Sequence, residues 1–128
     1  MRLVDSCGWL HVFKGTALAD TYRSILQEAE SETLVPTIVL YEVAKVLERD
    51  MGETVTMECV LRMQQEKLID LSDALALEAS STSLAHGLAI ADAIVYAIAR
   101  QHEATLYTSD ADLKGLPGVH FITLPLGK

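Results

Sequence analysis

The sequence predicts an α/β protein, a three-layer α/β/α sandwich around a mostly parallel central sheet. Two observations carry that expectation. Short runs of strand character alternate with longer stretches of helical periodicity along the whole chain. Half of the 128 residues are hydrophobic, enough for one domain over 1–128 to bury a core without disulfides or a structural metal.

The first strand is Arg2-Leu3-Val4, and it stops at Asp5, with the small pair Ser6-Cys7 behind. A carboxylate at the tip of a core strand is costly unless something pairs with it. Further strand signals lie at Leu34-Val35, Leu68 to Leu71, Ala104 to Tyr107 and Val119 to Ile122. Between them, Leu18, Tyr22, Ile25, Leu26 and Ala29 share one helical face. Thr37 after Pro36 is the expected N-cap of a helix with Leu40, Val43, Ala44 and Leu47 on one stripe. Val55 to Lys67 forms the next helix, grouping Met57, Val60, Leu61 and Gln64. The apolar side of these two helices, from Thr37 to Lys67, serves either as core or as a surface for a second copy. Ser72 caps a helix from Asp73 to about His86, with Gly87 as its stop. Ile90 to Glu103 is the last long helix, apolar at Ala91, Ile94, Val95, Ile98 and Ala99. In parallel sheets of this kind, ligands sit at the carboxyl ends of the strands. Asp5 is placed there.

Charge and cysteine usage narrow the function. A net charge of −8 argues against gripping nucleic acid through a basic surface. It does not exclude a protein that meets phosphates through a bound metal. Cys7 and Cys59 are far apart and have no histidine at zinc-ligand spacing, which suits free thiols in a reducing compartment. No signal-peptide pattern opens the chain, and its longest apolar stretch, Leu84 to Ala99, is short for a membrane span and carries Asp92. The expectation is a soluble cytoplasmic protein with no membrane partner.

Four carboxylates fall where solubility alone does not ask for them. Asp5 follows the first strand. Glu42 lies in the strongly apolar "TIVLYEVAKVL". Asp92, in "LAIADAIVYAIA", is the only charge between Glu78 and Arg100. Asp110, with Asp112 beside it, follows the strand "ATLYTSD". Each has a bland alternative: Asp5 as a helix cap, Glu42 paired with Lys45 or Arg49, Asp92 on a helix dipole, Asp110 starting a turn. Together these need four separate explanations, whereas one metal site explains all four. Hard divalent cations take oxygen ligands, and carboxylates crowded without a cation raise one another's pKa. Mg²⁺ or Mn²⁺ on such a cluster polarises water and stabilises the oxygens of a phosphodiester, which lets an acidic protein act on a polyanion.

The order of these acids, with "ADAIVYAIAR" and "LYTSDADL", resembles the PIN domain, and among its members the VapC-like toxin ribonucleases of type II toxin–antitoxin pairs. The resemblance runs from "LVDSCGWL" to "GVHFITL" and so covers nearly the whole chain. It implies a metal-dependent endoribonuclease acting on RNA, a cognate antitoxin and a homodimer. It also implies that Asp5 and Asp92 touch the principal metal, that Glu42 ligates directly or through water, and that Asp110 orients water or a second metal with Asp112 nearby. Ser6 follows the first acid, and Thr108 and Ser109 match the hydroxyl residues that steady the fourth. Two departures stand out: Cys7 where a small polar residue is usual, and Leu113 where an aromatic often follows. Neither removes a ligand.

The remaining candidates read as structural. His11, His86, His102 and His120 are scattered, Trp9 packs, and no nucleophilic role is expected of Cys7. Arg100, eight residues after Asp92, either touches substrate phosphate or makes a surface salt bridge. A receiver domain needs an adjacent acidic pair after the first strand, and a haloacid-dehalogenase phosphatase needs Asp-x-Asp, where Cys7 stands. The rival of a different class is a non-catalytic PIN-fold module that docks RNA or protein.

Overall fold

Five short strands form one sheet in the computed structural model, which describes residues 1–124. The elements in chain order are β1 (Arg2–Val4), α1 (Ser6–Lys14), α2 (Ala19–Gln27), β2 (Thr33–Pro36), α3 (Thr37–Met51) and α4 (Glu53–Met63). They continue with β3 (Lys67–Ile69), α5 (Asp73–His86), α6 (Ile90–Gln101), β4 (Thr105–Thr108), a 3₁₀ turn (Ala111–Leu113) and β5 (Val119–Phe121). The sheet order is β3-β2-β1-β4-β5, and every neighbouring pair is parallel.

That order places β1 at the centre and fixes the layers. The chain steps outward from β1 through β2 to β3, then returns across the sheet to β4. Right-handed crossovers put α1 to α4 on one face and α5 with α6 on the other. Both faces of the central strands are therefore covered, and all residues of β1 and β2 are buried. The order in which strands are added switches side between β1 and β4, a parallel pair whose register matches Arg2 with Thr105, Leu3 with Leu106 and Val4 with Tyr107. The carboxyl ends of these two strands thus open the crevice where ligands of parallel sheets bind.

The helix signals held where local chemistry dominates. The Ser72 hydroxyl accepts from the Leu75 N–H at 3.1 Å, and Gly87 stops α5 in the left-handed region at φ 67°. The middle of α6 is buried without interruption from Ala93 to Ala99.

Other elements differ from expectation. α1 is a further helix, packed against the sheet through Gly8 and Trp9. Thr37 is the first helical residue of α3 and makes no capping bond, because Pro36 takes the cap position. α2 ends at Gln27, which leaves Ala29 outside it and exposed. α4 runs over Glu53–Met63 and turns Met57 and Leu61 to solvent, 54 % and 58 % exposed. Its buried face instead contains Thr56 and Met63, and the Thr56 hydroxyl is satisfied by the Gly52 carbonyl at 2.8 Å. In α3, Val39, Val43 and Leu47 are core, while Tyr41 is exposed. No single helix among the described residues is long and apolar enough to cross a membrane.

Candidate functional site

Asp5 leaves β1 at the centre of the sheet and becomes the N-cap of α1. Its Oδ1 accepts from the Ser6 N–H at 2.8 Å, and its Oδ2 accepts from the Thr108 hydroxyl at 2.9 Å. The capping alternative is therefore correct as far as it goes. Each carboxylate oxygen still has a lone pair to offer. The carboxyl is buried, and burial raises its pKa first, with the charge of Asp110 adding to the rise against the two hydrogen bonds.

Asp110 arrives from β4, whose last residue, Thr108, is fully buried and aligns beside Asp5. The Asp110 N–H donates to the Thr108 hydroxyl oxygen at 3.0 Å, so one threonine holds both acids. Asp110 Oδ1 in turn accepts from the Asp112 N–H at 2.9 Å, the turn expected of Asp-x-Asp. Asp112 itself is exposed.

Asp92 stands in the first turn of α6, where the helix dipole favours a carboxylate. The dipole does not win. Burial raises the Asp92 pKa to about 7, helped by the charges of Asp110, Asp5 and Asp112. One carboxylate oxygen from each of Asp5, Asp92 and Asp110 lies within 4.8 Å of the others.

Glu42 comes from α3 and stands half-buried at the margin of that triad. Burial raises its pKa, Asp5 and Asp110 add to the effect, and the Ser6 side chain opposes it. Neither helical pairing partner is used: Lys45 lies over the Tyr41 ring and Arg49 binds Asp50 at 2.7 Å. Among the described residues the four ion pairs are Lys14–Asp50, Arg23–Asp20, Arg49–Asp50 and Arg62–Glu66. None reaches Asp5, Glu42, Asp92, Asp110 or Asp112. Among the described residues no cationic side chain pairs with this negative cluster.

This donor set fits a hard divalent ion. Three convergent carboxylates, all oxygen donors with water-accessible neighbours, are what Mg²⁺ or Mn²⁺ takes. The raised pKa values of Asp5, Asp92 and Glu42 mark charge that a cation would relieve.

The other candidates fall into place around it. Cys7 lies beside the cluster, its sulfur accepting from the Ser109 N–H at 3.4 Å. Burial and the Asp5 charge push its thiol pKa up, the reverse of an activated nucleophile. Both cysteines are free. Ser109 does not bind Asp110 but reaches the Tyr22 hydroxyl at 2.6 Å. Tyr22 is the residue that sequence reasoning left in the core, although a buried tyrosine needs a partner for its hydroxyl. Trp9 is fully buried against Phe13. His11, His86 and His120 pack on Tyr22, Tyr96 and Tyr107. Arg100 lies over Gly118, before β5, at the sheet edge opposite the carboxylates. Among the described residues it makes no salt bridge.

A family model described as PIN domain matches residues 2–119. The sequence has no significant match among curated proteins. Three solved structures are similar in fold. A toxin–antitoxin complex from Klebsiella pneumoniae superposes with a TM-score of 0.80 at 22% identity, covering 95% of this chain and 100% of that one. VapC20 from Mycobacterium tuberculosis, titled a sarcin-ricin loop cleaving toxin, gives 0.74 at 18% identity, covering 88% and 92%. VapBC2 from Rickettsia felis, bound to a DNA fragment from its promoter, gives 0.78 at 14% identity, covering 95% and 98%.

Proposed function

The chain belongs to the PIN domain family, and from that premise we propose that it is a divalent-metal-dependent endoribonuclease, the toxin of a type II toxin–antitoxin pair. The observation that carries the reading is the convergence of Asp5, Asp92 and Asp110 at the crevice between β1 and β4, with no cationic side chain among the described residues paired to them.

In this reading Asp5, Asp92 and Asp110 hold Mg²⁺ or Mn²⁺. Glu42 ligates or orients water from α3, and Asp112 stands beside Asp110 at the exposed margin. The bound ion supplies a polarised water and neutralises charge on the phosphodiester. Thr108 keeps Asp5 and Asp110 in mutual register, and Ser6 steadies Asp5 through its backbone N–H. RNA is the proposed substrate. A chain of net charge −8 meets that polyanion at the one place where its own carboxylates are neutralised.

The proposed partners are a cognate antitoxin and a second copy of this chain, acting in the cytoplasm. Similarity to solved toxin–antitoxin complexes supports the first. Exposed Leu77, Leu84 and Ile90 on α5 and α6 supply apolar surface for association.

The test is RNA cleavage by the purified chain with Mn²⁺ or Mg²⁺ and with a chelator. Cleavage should require the metal and should vanish in Asp92→Asn, and expression should be toxic unless a small adjacent DNA-binding gene is co-expressed. RNA binding without cleavage, in wild type and variant alike, would instead support the non-catalytic PIN-fold module.

A further inference from the structure

Ser109 joins the end of β4 to Asp110. β4 ends at Thr108 and the next regular turn begins at Ala111, so no sheet hydrogen bond fixes the segment between them. Yet this segment carries a carboxylate that the proposed metal needs. Two contacts hold Ser109 from outside: its N–H donates to the Cys7 sulfur at 3.4 Å, and its hydroxyl meets the Tyr22 hydroxyl at 2.6 Å. Sulfur is a weak acceptor, so the tyrosine contact is the stronger of the two.

Tyr22 is built to reach that point. It comes from α2, 87 residues before Ser109, and is completely buried. Its ring lies against Gly8 of α1, where an added Cβ would come within 2.5 Å of the ring and of Val4. Only glycine at position 8 lets the ring pass between the two helices toward the carboxyl end of the sheet. Burial keeps the phenol protonated, and a phenol is the better donor of the two hydroxyls. The tyrosine is then anchored by packing against Gly8 at one end and bonded to Ser109 at the other.

Resting on the metal-site reading above, we propose that Tyr22 is a positioning residue, which fixes Asp110 through Ser109. Outer partners of this kind tune metal ligands as strongly as they orient them. Gly8 is part of the same device, because any side chain there displaces the ring.

Tyr22→Phe keeps the ring and removes the bond. It should weaken Mn²⁺ binding, read by calorimetric titration with Mn²⁺ alone, by roughly tenfold or more, and lower kcat with the KM for RNA unchanged. Tyr96→Phe is the control, since Tyr96 donates a similar bond to the Pro117 carbonyl at 2.7 Å, away from the carboxylates. It should leave Mn²⁺ affinity within about twofold of wild type, well short of an outer-partner effect. Ser109→Ala deletes the same bond from the smaller side and stands in if Tyr22→Phe folds poorly. The double variant should be no worse than the stronger single one, because both remove one interaction. Wild-type Mn²⁺ affinity in either Tyr22→Phe or Ser109→Ala overturns the proposal, as does an equal loss in Tyr96→Phe or additive losses in the double variant. A wild-type chain that binds no Mn²⁺ overturns the metal reading itself and this proposal with it, a separate result from a metal-binding wild type whose variants bind equally well.

Discussion

At its amino end β1 buries the Arg2 guanidinium, and three residues later at its carboxyl end it buries the Asp5 carboxylate, 6 % and 5 % exposed. The surroundings of the two charges are opposite. Arg2 donates from Nε to the Thr33 hydroxyl at 2.6 Å, from Nη1 to the Glu28 carbonyl at 2.9 Å and from Nη2 to the Leu26 carbonyl at 2.7 Å. The two carbonyls close the carboxyl end of α2, where free acceptors and the negative end of the helix dipole favour a cation. Asp5 receives two neutral hydrogen bonds, and its charged neighbours are acids. A buried charge that the chain completes for itself is architecture. One left among like charges marks where an external ion belongs.

The largest expected effect sharpens the amino end. Arg2→Met fits the aliphatic volume but strands three acceptors, and should cost about 3 kcal/mol or more in urea denaturation. The Mn²⁺-induced rise in melting temperature should survive. A loss under about 1 kcal/mol would mean that the three hydrogen bonds do not complete this end.

Next comes Thr108→Val, which keeps shape but removes the hydroxyl shared by Asp5 and the Asp110 N–H. Apo stability should fall by about 1–3 kcal/mol, from the buried N–H left without a partner. Mn²⁺ affinity should fall with it. Unchanged affinity would show that the two acids keep their register without Thr108.

pH gives a gentler probe. The Asp92 carboxyl has a pKa of about 7 in the folded chain against an ordinary 3.8. Its folded pKa is raised, so the folded state binds more protons between these values. Stability without metal should therefore decline as pH rises from about 4 to about 7 and level off above. Mn²⁺ competes with that proton, so its affinity should climb over the same interval. A flat apo profile would mean that the acids are already compensated. Asp112→Asn should do least. The side chain is exposed and its backbone N–H keeps the bond to Asp110, so stability should move by no more than about 0.5 kcal/mol in the same denaturation assay. A larger change would place Asp112 inside the cluster.

The carboxylates were legible in sequence because an acid in an apolar run has no ordinary reason to be there. Their bland alternatives were legible too, and two of them coexist with the cluster: Asp5 does cap α1, and Asp110 does start a turn. Local signals such as Ser72 and Gly87 bounded α5 for the same reason, since caps act within one turn. What escaped depended on distant partners. Arg2 is completed by carbonyls of α2, and Tyr22 by a serine beyond β4, and no spacing in the chain encodes either meeting. α1 showed only through the capping alternative for Asp5, because Gly8 is a poor helix former whose use is the close approach of Tyr22. The choice left open for the apolar stripe of α4, core or surface, falls to surface, because Thr56 is polar by type yet satisfied by the Gly52 carbonyl and so buries where Met57 does not.

The most direct measurement compares wild type with Asp92→Asn by urea denaturation, once with a chelator and once with saturating Mn²⁺. If the carboxyl end of β1 is incomplete without a cation, neutralising Asp92 relieves repulsion in the apo chain and removes a ligand in the metal-bound one. The variant should then be as stable as wild type or more so with chelator, and less stable with Mn²⁺, where wild type alone gains by mass action. A variant that is less stable with chelator, and stabilised by Mn²⁺ as fully as wild type, would return Asp92 to a helix-dipole role and contradict the account.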